Sequence, residues 1–206
     1  MFAEVFIRGG FLLWLILALG IMTLVVFFNR LLHLHRQRVN AEDLLSGITN
    51  NLRRGNTDEA LQLCAMTPGP VAKLFRVAID RASENIEDLI HDLDTEAKAE
   101  IARMERRLSL LVLVAQTTPV LGLIGTLYGL LQMVFRIRMQ APLTQVADVA
   151  DGLIPALVVT GAGLVVSLIA YASFHVLVGK IDRLVVEMEQ SASNMIQVIR
   201  SMRGKP

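Results

Sequence analysis

Two threonines, Thr126 and Thr160, stand out because each lies in a long stretch without a charged side chain. Both belong to stripes of small residues at helical spacing. The first stripe consists of Ala115, Gly122, Thr126 and Gly129, and the second of Gly152, Ala156, Thr160, Gly163, Ser167 and Ala170. Small residues let membrane helices approach closely, and a hydroxyl in hydrocarbon needs a protein or water partner. The stripes therefore serve helix packing alone, or they face a polar path for ions.

The stretches that carry these stripes, Leu108–Phe135 and Gly152–Gly179, are each 28 residues long and contain no Asp, Glu, Lys or Arg. At ~1.5 Å per residue, either can cross a hydrocarbon core of ~30 Å. A third uncharged run, Gly9–Asn29, is 21 residues long and is interpreted as a retained helix rather than a cleaved signal peptide. With 53% hydrophobic residues and a mean hydropathy of +0.52, the chain is predicted to be an all-α membrane protein with three transmembrane helices.

Basic residues cluster beside these runs and predict their orientation. They follow the first run (Arg30, Arg36, Arg38), precede the second (Arg103, Arg106, Arg107) and follow the third (Lys180, Arg183, Arg200, Arg203, Lys205). By the positive-inside rule the N-terminus is expected outside and the C-terminus in the cytoplasm. Arg136 and Arg138 then lie on the outer side, as a minor violation of the rule.

Seven segments are predicted from these features. They are an outer N-terminus (1–10), a first membrane helix (11–32), a cytoplasmic helical domain (33–107), a second membrane helix (108–135), an outer loop (136–151), a third membrane helix (152–179) and a cytoplasmic C-terminal helix (180–206). Apolar spacing continues without a break from Ile86 to Leu108, which predicts one helix entering the second span.

An apolar seam with alternating spacings of four and three continues past the third span. It consists of Ile181, Val185, Met188, Ala192, Met195, Ile199 and Met202. The second and third helices are thus expected to extend into the cytoplasm as a helical bundle. The alternative is a single amphipathic helix that lies on the chain's own cytoplasmic domain.

Several classes of chemistry have no support in the sequence. No phosphate-binding loop, serine-hydrolase or zinc-protease motif is present, so the chain is not expected to be an enzyme. The single cysteine excludes an internal disulfide and a cysteine-rich metal site, and no cofactor is expected. A net charge of +1 does not indicate a nucleic-acid partner.

The two inner spans also lack Asp and Glu. An ionisable residue at the bilayer centre costs ~2.5–3.5 kcal/mol and usually marks an ion path. If this chain carries protons, the carboxylate that titrates must therefore come from outside these two spans.

Two segments resemble the motifs of a known family. Residues 121–129, LGLIGTLYG, resemble the GLFGTVWG-type motif of the ExbB/TolQ/MotA proton-channel family, and residues 156–164, ALVVTGAGL, resemble its ALxATAxGL motif. The motifs occur in the expected spans and order, and the resemblance covers nearly the whole chain. Three spans with a cytoplasmic domain between the first two match the ExbB/TolQ branch rather than the four-span MotA branch.

The resemblance implies a multi-pass protein of the bacterial inner membrane that assembles as a homo-oligomer, expected to be a pentamer. The second and third helices would line a central pore, with Thr126, Thr160, Gly122, Gly129, Ala156, Gly163 and Ser167 as pore-lining residues. Single-span partners of the ExbD/TolR type would supply an Asp. Proton flow would then drive a TonB- or TolA-like protein in outer-membrane transport or envelope maintenance.

The third span departs from the family pattern at one place. The family usually has a proline followed four residues later by a glutamate, whereas the same frame here has Asp151 and then Pro155. Asp151 is interpreted either as the acid at the outer channel mouth or as the N-cap of the third span.

Two other functions remain open at this stage. One is a stator for gliding or surface motility, which would use the same chemistry with another load. The other is a non-conducting membrane scaffold, which would need the small-residue stripes but not two threonines. The sequence does not distinguish proton from sodium as the coupling ion.

Overall fold

The computed structural model of the chain describes residues 10–36, 40–106, 108–140 and 146–203. These residues form helices and connecting turns, without a strand. The helices are α1 (Gly10–Arg36), α2 (Ala41–Arg53), α3 (Thr57–Met66), α4 (Pro70–Asp80), α5 (Ile86–Arg106), α6 (Ser109–Gln140) and α7 (Val146–Arg203). Residues 1–9 of the predicted outer N-terminus, and Arg38, Arg107 and Lys205 of the basic clusters, lie outside the described residues.

Three helical stretches are long and apolar enough to cross a membrane: Phe11–Leu34, Ile86–Met139 and Gly152–Arg203. Each contains most of one predicted span, which confirms the prediction of an all-α membrane protein with three transmembrane helices. The helices α6 and α7 both run past the predicted ends of their spans. Only residues 141–145, which lie outside the described part of the chain, separate the two helices.

The prediction of one unbroken helix through Leu108 stays a prediction, because residue 107, between α5 and α6, lies outside the described part of the chain. Leu108 lies directly before α6, and its carbonyl accepts hydrogen bonds from the Leu111 N–H at 3.0 Å and from the Val112 N–H at 3.3 Å. The first bond has 3₁₀ spacing and the second has α-helical spacing, a shared arrangement that is common at helix ends.

The chain divides into two compact units. The first, called the apolar unit, comprises residues 1–29 and 108–176; the second, called the polar unit, comprises residues 30–107 and 177–206. Helices α1 and α7 each contribute a segment to both units.

The core of the apolar unit comes from all three of its helices. It consists of Leu13, Ile16, Val114, Ala115, Val159, Val166 and Ala170. Large apolar side chains also point outward: Leu123 is 58% exposed and Leu168 is 69% exposed. Soluble proteins rarely expose such continuous apolar surface, whereas a lipid environment accepts it at no cost.

The polar unit packs α2 to α5 as consecutive neighbours around Phe75, which is fully buried. The turn after α2 contains Gly55 at φ +80°, where a residue without Cβ is favoured. The chain leaves the helical conformation at Gly55 and again before Pro70, since α2 ends at Arg53, α3 runs from Thr57 to Met66 and α4 begins at Pro70.

Two arginines close the polar unit by binding backbone carbonyls. Arg30 donates from Nη2 to the Met104 carbonyl at 2.9 Å, in the last turn of α5. Arg203, in the last turn of α7, donates from Nε to the Ala82 carbonyl at 3.1 Å and from Nη2 to the Glu84 carbonyl. A cation beside the exposed carbonyls at a helix C-terminus interacts favourably with the helix dipole, which gives Arg30 a stabilising position.

The seam on the second half of α7 is present with a small change of phase. Its buried members are Ile181, Leu184, Met188, Ser191, Met195 and Ile199, whereas Val185 and Ala192 are only partly buried. These side chains are covered by this same chain, in the polar unit. The alternative of an amphipathic helix that packs on its own chain's domain therefore describes this segment.

Candidate functional site

The two predicted stripes meet as one antiparallel contact between α6 and α7. A Cβ added at Gly129 would lie 2.6 Å from the Ala156 Cβ, and one added at Gly122 would lie 3.1 Å from the Thr160 Cα. Further along, a Cβ at Gly163 would lie 2.7 Å from the Thr118 carbonyl oxygen. A side chain at Gly129 or Gly163 would therefore force a shift of the neighbouring helix, and one at Gly122 would be a tight fit, so these glycines allow the close approach of the two backbones.

Two hydroxyls of α7 donate across this contact to backbone carbonyls of α6. Thr160 Oγ1 lies 2.9 Å from the Gly122 oxygen, and Ser167 Oγ lies 2.7 Å from the Ala115 oxygen. Interhelical hydrogen bonds of this kind contribute about 0.6–2 kcal/mol each in a membrane. Both hydroxyls therefore help to hold the α6–α7 pair together.

Pro119 explains why the Ala115 carbonyl is available to Ser167. Proline has no N–H, so it cannot donate to the carbonyl four residues earlier, which is that of Ala115. In hydrocarbon an unsatisfied carbonyl is costly, and serine side chains commonly satisfy carbonyls that a proline has freed. The Ser167 hydroxyl fills this role at a separation of 52 residues in sequence.

Thr126 differs from Thr160 although the sequence placed both on matching stripes. Its Oγ1 donates within its own helix to the Leu123 carbonyl at 2.7 Å, and the bond is exposed. The oxygen keeps lone pairs that can accept a hydrogen bond from outside the chain. Thr126 is therefore the threonine whose hydroxyl is open to a partner molecule, whereas the Thr160 proton is held between two helices.

The remaining predicted pore-lining residues occupy the same contact. Ala156 and Gly163 are buried, Gly129 and Ser167 are partly buried, and Gly122 is buried beneath Thr160. The structure gives all of these residues a packing role within one chain. Their role in lining a pore stays a prediction.

Thr118 is a site residue that the sequence reasoning missed. It is fully buried, its Oγ1 donates to the Val114 carbonyl at 2.8 Å, and its own carbonyl oxygen is the atom that a Cβ added at Gly163 would approach most closely. The signal was its place beside Pro119, because a proline in a membrane helix marks backbone that needs other partners.

The interpretation of Asp151 as an N-cap is wrong. Helix α7 begins at Val146, five residues earlier, so Asp151 lies within the helix rather than at its start. Pro155 lies four residues further on and supplies no N–H to the Asp151 carbonyl. The side chain of Asp151 lies outside the described part of the structure, and its role at a channel mouth stays a prediction.

Comparison with known proteins identifies the family of the chain. Residues 67–190, more than half of the chain, match the family model of the MotA/TolQ/ExbB proton channel family. The chain belongs to this family. The matched segment includes the whole α6–α7 contact and, in the polar unit, helices α4 and α5.

Two curated relatives place the chain near the ExbB branch. A biopolymer transport ExbB homolog of Methanothermobacter thermautotrophicus is 27% identical over 180 residues, which are 87% of this chain and 63% of the relative. An ExbB-like biopolymer transport protein of Synechocystis is 27% identical over 191 residues, which are 85% of this chain and 70% of the relative. The chain is an ExbB-like member of a channel family and not of an enzyme family.

Proposed function

We propose that the chain is a subunit of an inner-membrane channel that uses ion flow, in the first place of protons, to energise a periplasmic partner of the TonB or TolA type. The load would be outer-membrane transport or envelope maintenance. The observation that carries the proposal is the pair of threonines on the family-matched α6–α7 contact, one held between the helices and one open at Oγ1.

The two spans that would line such a channel contain no carboxylate. Residues 108–135 and 152–179 contain no acid, and threonine does not ionise at neutral pH. A single-span partner of the ExbD/TolR type would supply an Asp close to Thr126. Several copies of this chain, proposed as a pentamer, would surround that partner and present their α6–α7 pairs to it.

The proposed orientation places the N-terminus in the periplasm and the C-terminus in the cytoplasm. The polar unit would then be cytoplasmic. One elementary charge that moves through ~100 mV releases ~2.3 kcal/mol, which is enough to shift a conformational equilibrium about fiftyfold. Such a shift is the physical means by which flow would do work on the partner.

A non-conducting scaffold is the second candidate. It is favoured by the packing use of Thr160 and Ser167, whose hydroxyls bind α6 carbonyls of the same chain. Flux measurements distinguish the two functions. The chain is reconstituted in liposomes, alone and with an Asp-bearing single-span partner, and proton entry is followed with an internal pH dye under a membrane potential.

The channel proposal expects little flux from the chain alone and a clear increase with the partner. Replacing the partner's Asp with Asn should abolish the increase. Equal flux with and without partner would contradict the proposed origin of the carboxylate. Absence of flux under both conditions, with partner binding shown by co-purification, would favour the scaffold.

A further inference from the structure

A polar cleft of about 220 Å³ lies within the polar unit, remote in sequence from the α6–α7 contact. One wall is formed by the start of α2. The other wall is one face of α7, over residues 187–194. The lining residues are Asn40, Ala41, Glu42, Leu45, Glu187, Gln190, Ser191 and Asn194. Its volume corresponds to about seven water molecules at ~30 Å³ each, which is enough for a small organic group.

The described residues that line this cleft carry charge of one sign. Glu42 and Glu187 contribute carboxylates, whereas no Lys, Arg or His is among the described lining residues. Glu42 is exposed and Glu187 is partly buried, and neither forms an ion pair with a residue that the structure describes. An anion would be repelled by both carboxylates, so the cleft selects for positive charge.

Ser191 provides an independent sign of a ligand. It is only 5% exposed and lies on the otherwise apolar seam of α7, yet it lines the cleft. Its hydroxyl forms no hydrogen bond with any of the described residues, although the other buried hydroxyls, those of Thr23, Thr118 and Ser173, bind a carbonyl of their own helix. The Ser191 oxygen is not sealed from solvent, so its hydroxyl is reachable from the cleft and can donate to or accept from an atom that enters it.

The lining also distinguishes an organic cation from a metal ion. Two carboxylates are fewer than the ligand set of a typical calcium site, and no group of three or more His, Cys, Asp or Glu side chains among the described residues could hold a metal. Ala41 and Leu45 add an apolar strip beside the carboxylates. A strip of this kind suits the methylene stem of an alkylated cation, whose charged head meets the polar groups.

We propose that this cleft is a binding site for an ammonium or guanidinium group on an aliphatic stem. The head group would donate to the carboxylates of Glu42 and Glu187 and to the Ser191 hydroxyl. The side-chain carbonyl oxygens of Gln190 and Asn194 supply further acceptors. Two sources carry this chemistry, namely a basic side chain of another polypeptide and a free polyamine.

Equilibrium binding to the full-length chain in detergent tests the site, with radiolabelled spermidine as the free amine and Nα-acetyl-arginine amide as the basic side chain. Saturable binding of either probe is expected. The Glu187→Gln substitution should weaken it about tenfold, since it removes one charge-assisted hydrogen bond. Glu189→Gln is the matched control, because Glu189 lies on α7 and is exposed outside the cleft.

The probe that binds more tightly shows whether the natural ligand is a free polyamine or a basic side chain of another polypeptide. Binding of neither probe to the wild-type chain overturns the proposal. Equal weakening by Glu187→Gln and Glu189→Gln also overturns it, because attraction by the general surface charge would then explain the binding. None of these results depends on channel activity, so the site and the proposed function stand or fall separately.

A second variant locates the bound cation. The thiol of Ser191→Cys should react with N-ethylmaleimide more slowly when the tighter probe is present, whereas that of Ser193→Cys, exposed on the same helix, should be unaffected. The only native cysteine, Cys64, is buried, and burial raises the pKa of its thiol to about 11, so its background reaction is slow. Protection at both positions or at neither contradicts the assigned site.

Discussion

The Ser167 hydroxyl donates to the Ala115 carbonyl at 2.7 Å, and this is the carbonyl that Pro119 leaves without an intrahelical donor. A proline in α6 is thus compensated by a serine in α7. The bond connects the proline site of α6 with a serine of α7, so that α6 depends on α7 to satisfy one of its backbone carbonyls.

Removal of this serine should therefore be costly only while the proline is present. Ser167→Ala is expected to lower the free energy of unfolding in detergent by about 0.6–2 kcal/mol. In a Pro119→Ala background the new N–H satisfies the Ala115 carbonyl, so the same substitution should cost less. Ser173→Ala is the matched control, because the Ser173 hydroxyl binds only its own helix. Equal costs in both backgrounds would contradict the link.

Substitution by valine, which keeps the shape but removes the hydroxyl, should have different effects at Thr126 and at Thr160. Thr126→Val should leave the free energy of unfolding within about 0.5 kcal/mol of wild type, because the lost bond is exposed and local. It should nonetheless reduce partner-dependent proton flux in liposomes. Thr160→Val should lower stability through loss of the bond to Gly122. Normal flux in the Thr126→Val variant would remove the main support for a channel role of its hydroxyl.

Glycines on α7 should differ according to what they face. Gly163→Ala places a Cβ 2.7 Å from the Thr118 carbonyl oxygen, and such overpacking is expected to cost about 1–3 kcal/mol in thermal unfolding experiments. Gly161→Ala meets no atom within 4 Å and should be neutral or slightly stabilising for the single chain. Similar losses in both variants would show that glycine content, rather than the α6–α7 contact, determines stability.

Asp151 lies within α7 and not at its start, so substitutions there should act through the lost charge and not through a lost N-cap. Asp151→Asn and Asp151→Ala are both expected to reduce partner-dependent flux, because each removes the acid proposed at the outer mouth. Their free energies of unfolding should be similar, since no cap is lost in either. Full flux in the Asp151→Asn variant would exclude the role at the channel mouth. A loss of stability in the Asp151→Ala variant alone would support the N-cap interpretation instead.

The proposed orientation is tested by cysteine labelling in intact cells with a membrane-impermeant maleimide. Gln145→Cys, between the second and third spans, should label from the outside, whereas Ser46→Cys, exposed on α2, should label only after permeabilisation. Cys64 gives little background because burial raises the pKa of its thiol to about 11, which leaves the unreactive neutral form dominant at neutral pH. External labelling of Ser46→Cys would overturn the orientation.

Much of this molecule was determined by local sequence. Three long apolar runs predict three spans, because the hydrocarbon thickness sets the length of an uncharged helix. The stripes containing Thr126 and Thr160 predict a close contact, because small residues at helical spacing necessarily share one face. The motifs at 121–129 and 156–164 predicted the family that the matched segment 67–190 confirms.

Tertiary structure alone decided how those residues are used. Thr160 and Ser167 find their acceptors 38 and 52 residues away, and a shift of one residue in the register of α6 and α7 would rotate each hydroxyl by ~100° about its helix axis. Sequence spacing specifies a face but not the register of the partner helix. For the same reason the sequence does not reveal the cleft at Ser191, because the cleft is formed by α2 together with α7 and depends on how these two helices pack.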